Sequence, residues 1–268
     1  MIILNKNKKK NSKFRPLISI ITVTYNRAKY LEKTILSVLR QKYKNFEYIV
    51  VDGGSTDCTK NIILKYKNFI DKIIFDNDKG IYDAFNKGIA LAEGEFIGII
   101  NSDDVYTPNA LQYVINYYRK DNSFDFIFGA VKKHYATLFG FSPWKIFYTW
   151  GFYSSHSTGF FIKKEKAKEL YGYNLKYKFS SDYDYFYRMI VKKKMKGIGT
   201  KKEELFGIFR RGGFSSKTDF VKHTIEELQI RKDNNQNLIF LFFILIIKII
   251  FNYKKFFKSL KKRLLLPI

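Results

Sequence analysis

From Leu17 to Phe128 the chain repeats one local pattern, and that pattern restricts the fold more than any other feature. Short apolar runs at Leu17–Val23, Phe46–Val51, Lys72–Phe75, Phe96–Ile100 and Phe124–Phe128 read as buried strands. Between them apolar residues recur at helical spacing: Leu31, Ile35, Val38 and Leu39 up to Gln41, then Ile62, Ile63 and Tyr66, then Ile81, Phe85, Ile89 and Ala92 through Glu93, then Leu111, Val114, Ile115 and Tyr118. Strands alternating with helices at this spacing predict βαβ units and a mainly parallel α/β sheet. Crossovers in such sheets are right-handed, so successive strand ends fall on one rim.

The punctuation supports these elements. Gly53 and Gly54 permit a tight turn with positive φ, and Ser55 or Thr56 can cap the helix that follows. Gly94 stands where a helix-closing glycine is expected, and Thr107-Pro108 read as cap and first helical residue. The run at Phe96–Ile100 stops at Asn101-Ser102-Asp103-Asp104. Ligands of open α/β sheets bind outside the carboxyl ends of the strands, and hard oxygens there suit Mg²⁺ or Mn²⁺ arriving with a diphosphate. An Asp pair in a turn is the competing reading. Asp52, at the end of another strand, should share the cleft with Asp103 and Asp104.

Past residue 130 the periodicity loosens. A strand at Gly159–Ile162 precedes a short charged helix through Leu170, Ser180-Ser181-Asp182-Tyr183-Asp184 opens another helix, and a further helix covers 218–231 after the basic, glycine-rich Arg210–Ser216. Leu238–Ile247 is wholly apolar, and beyond it Lys254, Lys255, Lys258, Lys261, Lys262 and Arg263 interleave with Phe256, Phe257, Leu260 and Leu264. The apolar segment falls short of the ~20 residues of a membrane span. It suits helices lying on an anionic bilayer, with packing onto the domain as the alternative.

Composition bounds the function. The formal net charge is +25, yet no acid precedes Glu32 and none follows Asp233, so both tails carry part of the excess. A nucleic-acid binder would more often show a basic stripe inside the fold, and no nucleic acid is expected. The single cysteine, Cys58, excludes an internal disulfide and fits a reducing compartment. No secretory h-region is visible. Glycine-rich dinucleotide and P-loop patterns are missing, and His134, His156 and His223 are too scattered for a zinc site. The expected layout is a flexible basic lead-in over 1–15, one domain over 16–232 and a membrane-associating tail over 233–268, with 238–268 meeting the surface.

Five motifs in order carry a resemblance. Ile20–Arg27, Val50–Asp57, Lys79–Ile89, Asn101–Asp104, and Ser181–Asp184 with Phe209–Ser215 resemble family-2 glycosyltransferases of the GT-A fold, in the branch that builds bacterial surface polysaccharides such as colanic acid. The resemblance covers about residues 16–220. It implies an inverting enzyme that moves one sugar from a nucleotide-diphosphate donor, UDP favoured, to a hydroxyl of a lipid-linked or surface glycan. It also implies a divalent cation, Mn²⁺ or Mg²⁺, and a place on the cytoplasmic face of the cell membrane. Thr22, Tyr25 and Asp52 would line the base pocket, and Lys79 and Asp83 would border the cleft, where a solvated Lys and a first-turn Asp are the competing reading. Asp103 would contact ribose or metal, Asp104 would hold the metal, and Asp182 would be the general base, with Asp184 as fallback. His156 would face the acceptor or a phosphate, or be structural; Arg210 and Arg211 would close over the diphosphate, or be surface loop. The metal motif lacks the spaced Asp-x-Asp, and the Gln-x-x-Arg-Trp of processive synthases is absent, which favours one sugar per encounter. The alternative from another class is a non-catalytic basic protein on the same fold, binding nucleic acid or anionic membrane.

Overall fold

The computed structural model describes residues 1–5, 17–147, 157–210 and 219–264. In chain order these form β1 (Ile2–Leu4), β2 (Ile18–Thr24), α1 (Ala28–Leu39), β3 (Phe46–Asp52), α2 (Thr59–Lys65), β4 (Lys72–Phe75), α3 (Ile81–Leu91), β5 (Phe96–Asn101), β6 (Val105–Tyr106), α4 (Ala110–Lys120) and β7 (Phe126–Phe128). There follow β8 (Ala130–Lys133), β9 (Ala136–Leu138), β10 (Phe160–Lys163), α5 (Lys164–Glu169), α6 (Ser181–Tyr187), β11 (Gly197–Gly199), β12 (Leu205–Phe209), α7 (Phe220–Asp233), α8 (Leu238–Phe251) and α9 (Tyr253–Leu264).

The main sheet has the order β1-β4-β3-β2-β5-β10-β7-β11. Strands β4, β3, β2 and β5 are parallel neighbours, as the alternating pattern predicts. Side chains alternate across them. Ile20, Val50 and Ile100 pack toward Leu31 and Ile35 of α1 and Leu111 and Val114 of α4, while Ile21, Val51 and Ile99 pack toward Phe85 of α3 and Phe186 of α6. A sheet buried on both faces explains why these runs are continuously apolar.

Three features differ from the sequence reading. β10 runs antiparallel between β5 and β7, so the strand expected after residue 158 splits the parallel array. Ile2–Leu4 is an antiparallel edge strand on β4 rather than part of a flexible lead-in; residues 6–15 of that lead-in lie outside the described residues. Gly94 does not close α3, which ends at Leu91 with Ala92 as its cap. A Cβ at Gly94 would sit 2.5 Å from the Ser19 amide nitrogen and 2.8 Å from the Leu17 carbonyl oxygen, so the residue serves a close backbone approach. A second sheet, β6-β12-β8-β9, forms beyond the carboxyl ends of β5 and β7. It brings Arg210, which follows β12, back beside the end of β5.

At the C-terminal side α7 packs on α6 and α8. Arg231 of α7 is fully buried, stacks over the Tyr183 ring at 4.8 Å and donates to Phe147 O. Lys248 of α8 pairs with Glu227 of α7, and burial pulls its ammonium below the usual lysine range against Glu227's attraction. Leu241, Ile244 and Lys248 face inward, while Leu238, Ile239, Phe242, Phe243, Ile250 and Phe251 stay exposed. Among the described residues no helix is long and apolar enough to cross a membrane.

Candidate active site

The rim at the carboxyl ends of β2, β3 and β5 gathers most of the predicted residues. Thr24 pairs with Asp52, and Val23 with Asn101, so β2 lies between the two acidic strand ends. Neighbouring strands sit about 4.8 Å apart, which places Asp52 and Asn101 about 10 Å apart across one cleft floor. Asp52 is buried and accepts from the Ser55 amide at 3.2 Å and from the Ser55 hydroxyl. Ser55 therefore shapes the Asp52 turn instead of capping α2, whose first amide is held by Asp57 at 2.9 Å.

Asn26 fastens the two loops together. It adopts φ 51°, a left-handed conformation for which Asn is suited, and its side-chain oxygen accepts from the Thr56 amide at 2.8 Å. Its own amide donates to Ser55 Oγ at 2.8 Å. Tyr25, just before it, is 56% exposed at the cleft edge, where a planar ring can pack. Thr22 is placed differently from the sequence expectation. It is fully buried and shares a 3.0 Å hydrogen bond with the Tyr48 hydroxyl, so it is sheet interior and not pocket wall. The rim threonine is Thr24, whose buried Oγ1 has no hydrogen-bond partner among the described residues.

Asp103 and Asp104 separate sharply. Asp103 is partly exposed, with the Arg27 guanidinium 4.0 Å from its carboxylate. Asp104 is 1% exposed, and both its oxygens are engaged inside the protein: Thr158 Oγ1 donates at 2.6 Å and the Arg210 amide at 2.9 Å. Burial pushes its carboxyl up to about 7, against those two donors and with the help of the Asp103 charge. Asp104, expected to hold the metal, thus has its carboxylate tied to Thr158 and to the amide that follows β12. Asp103 and Asn101 offer further oxygens here, and the buried Asn101 Oδ1 has no partner among the described residues while its Nδ2 donates to Ser157. Both are hard donors, and a divalent ion that brings diphosphate and water as its other ligands fits so small a set. Among the described residues no three His, Cys, Asp or Glu side chains cluster as a self-sufficient metal site.

Two arginines flank these acids. Arg27 precedes α1, and Arg210 stacks its guanidinium 3.7 Å over the Tyr30 ring of α1. Arg211 and His156 lie outside the described residues. Lys79 is exposed. Asp83 accepts from the Lys79 amide at 3.0 Å and pairs with Lys87 at 3.2 Å, the geometry of a first-turn acid that closes the start of α3. The sequence reading missed Asp78, which the loop between β4 and α3 folds over Gly53: a Cβ there would meet the Asp78 carboxylate at 2.0 Å. Burial, joined by the charges of Asp83 and Asp52, raises its carboxyl above the usual range. Its place inside the Asp76–Gly80 turn was the only sequence signal available. Arg27, in the polar turn after β2, and Asn101, in the metal motif, were visible but went unassigned.

Asp182 opens α6 and reaches the same rim through α3. The Tyr82 hydroxyl, in the first turn of α3, lies 3.2 Å from Asp182 Oδ1 and 3.1 Å from Phe179 O. Asp184 is 3% exposed and paired with Arg188 at 2.8 Å and Asn234 at 3.2 Å, so the expected fallback is a structural acid instead.

An α/β sheet with a strand-end acid cleft, a second small sheet and C-terminal helices defines the GT-A architecture. The family model "Glycosyl transferase family 2" matches residues 19–186, more than half of the chain, and the protein belongs to that family. It is 40% identical over 120 residues to an uncharacterized glycosyltransferase of Rickettsia typhi, covering 44% of this chain and 37% of that protein. It is 34% identical over 102 residues to TuaG of Bacillus subtilis, a protein named for teichuronic acid biosynthesis, covering 37% of this chain and 40% of that one. The matches thus span well under half of these relatives' lengths. Among solved structures, S. aureus TarS 1-349 in complex with UDP-GlcNAc superposes with a TM-score of 0.66 at 19% identity, covering 85% of this chain and 71% of that one. The mannosyltransferase PcManGT of Pyrobaculum calidifontis, in complex with GDP-Man and Mn2+, gives 0.60 at 18% identity, covering 81% and 62%.

Proposed function

We propose that the protein is an inverting glycosyltransferase that moves one sugar from a UDP-sugar to a hydroxyl of a lipid-linked or surface glycan. The observation that carries this is the shared rim: Asp52, Asp78 and Asp103 stand around the ends of adjacent parallel strands, and Tyr82 ties Asp182 to the same edge. The named context of TuaG and the UDP-GlcNAc held by TarS support the donor and acceptor classes.

Tyr25 packs the nucleotide base and Asp52 accepts from its N–H, in a pocket closed by Ser55 and Asn26. Asp78 and Asp83 border the cleft. Asp103, with Asn101 Oδ1, would hold a divalent cation, which when bound supplies Lewis-acid neutralisation of the departing diphosphate. Arg27 and Arg210 add charge on the same side, and guanidinium matches phosphate oxygens two at a time. Displacement at the sugar C1 passes through an oxocarbenium-like state and needs the acceptor proton removed. Asp182 takes that proton, a contribution of ~10²–10⁴-fold. The Tyr82 hydroxyl and the Tyr183 amide both donate to Asp182 Oδ1 and so orient its carboxylate.

The acceptor side is read as membrane-proximal. The exposed apolar face of α8 and the lysines of the tail suit an anionic bilayer on its cytoplasmic face. A thermal-shift series with UDP-, GDP- and dTDP-sugars tests the reading. A UDP-sugar at ~100 times its Kd should add ~2.7 kcal/mol of stability, dependent on Mn²⁺ or Mg²⁺. Asp182→Asn should keep that binding and lose transfer. No stabilisation by any nucleoside diphosphate would refute the proposal.

A further inference from the structure

The turn leading into α6 is held by a carboxylate from a distant helix. Glu226 Oε1 accepts from the amides of Phe179 and Ser180, each at 2.7 Å, and Oε2 accepts from the amide of Lys178 at 2.7 Å. Three successive backbone donors on one carboxylate are charge-assisted bonds at the short end of their range, about twice as strong as neutral ones. From the same helix, His223 Nε2 lies 3.2 Å from Ser180 Oγ. Asp182 follows two residues later, and the Tyr82 hydroxyl reaches both Phe179 O and Asp182. The segment that presents Asp182 is thus gripped by α7 on its amides and by α3 on its carbonyl and carboxylate.

α7 is itself anchored. Glu227, next to Glu226, pairs with Lys248 of α8 and with Arg231, whose guanidinium lies over Tyr183 beside Asp182. Residue 226 also lies beyond the stretch matched by the family model, which ends at 186. The grip belongs to this chain's C-terminal helices.

We propose that Glu226 is a positioning residue for the proposed base: it fixes residues 178–180 so that Asp182 faces the acceptor hydroxyl, and it joins the tail helices to the reacting centre. The inference rests on the reading of Asp182 as base. A displacement of about 1 Å at a reacting group costs on the order of 10²-fold, so a loosened turn should act on kcat rather than on donor binding.

The test uses the full chain with Glu226→Ala and Glu226→Gln. Gln keeps an oxygen for Phe179 and Ser180 and loses only the Lys178 acceptor. Amide hydrogen exchange at 178–180 should rise roughly tenfold or more in Glu226→Ala while β2, β3 and β5 stay protected, with Glu226→Gln between. With UDP-GlcNAc and Mn²⁺ as the probe, kcat for UDP release should fall about tenfold or more in Glu226→Ala at a donor KM within twofold, and less in Glu226→Gln. Unchanged exchange at 178–180, a kcat within twofold of wild type, or a loss confined to KM overturns the inference. Asp182→Asn separates this from failure of the base reading. Full turnover in Asp182→Asn removes the base and the positioning role together; no turnover there beside full turnover in Glu226→Ala removes the positioning role alone.

Discussion

Asp104 offers a quantitative test of which strand-end acid faces the cleft. In the folded chain its carboxyl titrates at about 7, against 3.8 for an unperturbed Asp, and the cause is burial at 1% exposure. A raised value means that the folded chain keeps a proton the unfolded chain has already released. Stability contributed by that proton is therefore full below about pH 4, and falls by ~1.4 kcal/mol per pH unit until about pH 7, where it levels off. Asp104→Asn removes this dependence and keeps the local geometry: the amide oxygen can accept from the Arg210 amide, and the amide nitrogen can donate to Thr158 Oγ1. Two pH units lie between 5 and 7, worth about 3 kcal/mol. At roughly 2–4 °C per kcal/mol for a chain near this size, the wild-type melting midpoint should drop by about 5–10 °C relative to Asp104→Asn between pH 5 and pH 8. Differential scanning fluorimetry with EDTA present reads this directly, since other titrating groups are common to both chains. A difference that moves by less than about 2 °C over that range refutes the buried, proton-holding role. Adding Asp103→Asn tests the ligand. Asp104→Asn should keep Mn²⁺-dependent UDP stabilisation and Asp103→Asn should lose it; the reverse returns the metal to Asp104.

Two further outcomes test the framework around the site. Gly94→Ala should cost ~1–3 kcal/mol by overpacking against Ser19 and Leu17, and Gly94→Asn at least as much, measured by urea unfolding; Asn tolerated better than Ala would restore a helix-capping role, which favours positive φ. Lys248→Ala leaves Glu227 with Arg231 alone in the buried seam between α7 and α8, and should lower stability by ~3 kcal/mol. An unchanged midpoint would show that α8 is not locked to α7 through this pair.

The rim was legible in the sequence because strand ends are. A buried strand is a continuous apolar run, so the place where polarity returns marks its end, and Asp52, Asp103 and Asp104 could be put on one edge without coordinates. Element limits were less so: α4 starts at Ala110, two residues after the expected Pro108, because backbone pairing and not side-chain type sets the first turn.

The sequence by itself determined the βαβ order, the acidic rim and the family, since all three are local patterns of polarity read in order. Tertiary structure alone decided which acids are available. Asp103 and Asp104 are adjacent and chemically alike, and only the arrival of Thr158 and the Arg210 amide takes Asp104 into the interior. Asp184 and Asp182 divide in the same way, the first buried with Arg188 and Asn234, the second less buried and held by Tyr82 and the Tyr183 amide. Thr22 and Thr24 share a strand face, yet Tyr48 covers one and not the other. β10 slips antiparallel between two parallel strands, and Glu226 reaches back to grip the turn before Asp182. Each is a contact between residues distant in the chain, made by packing, and periodicity along the chain carries no record of it.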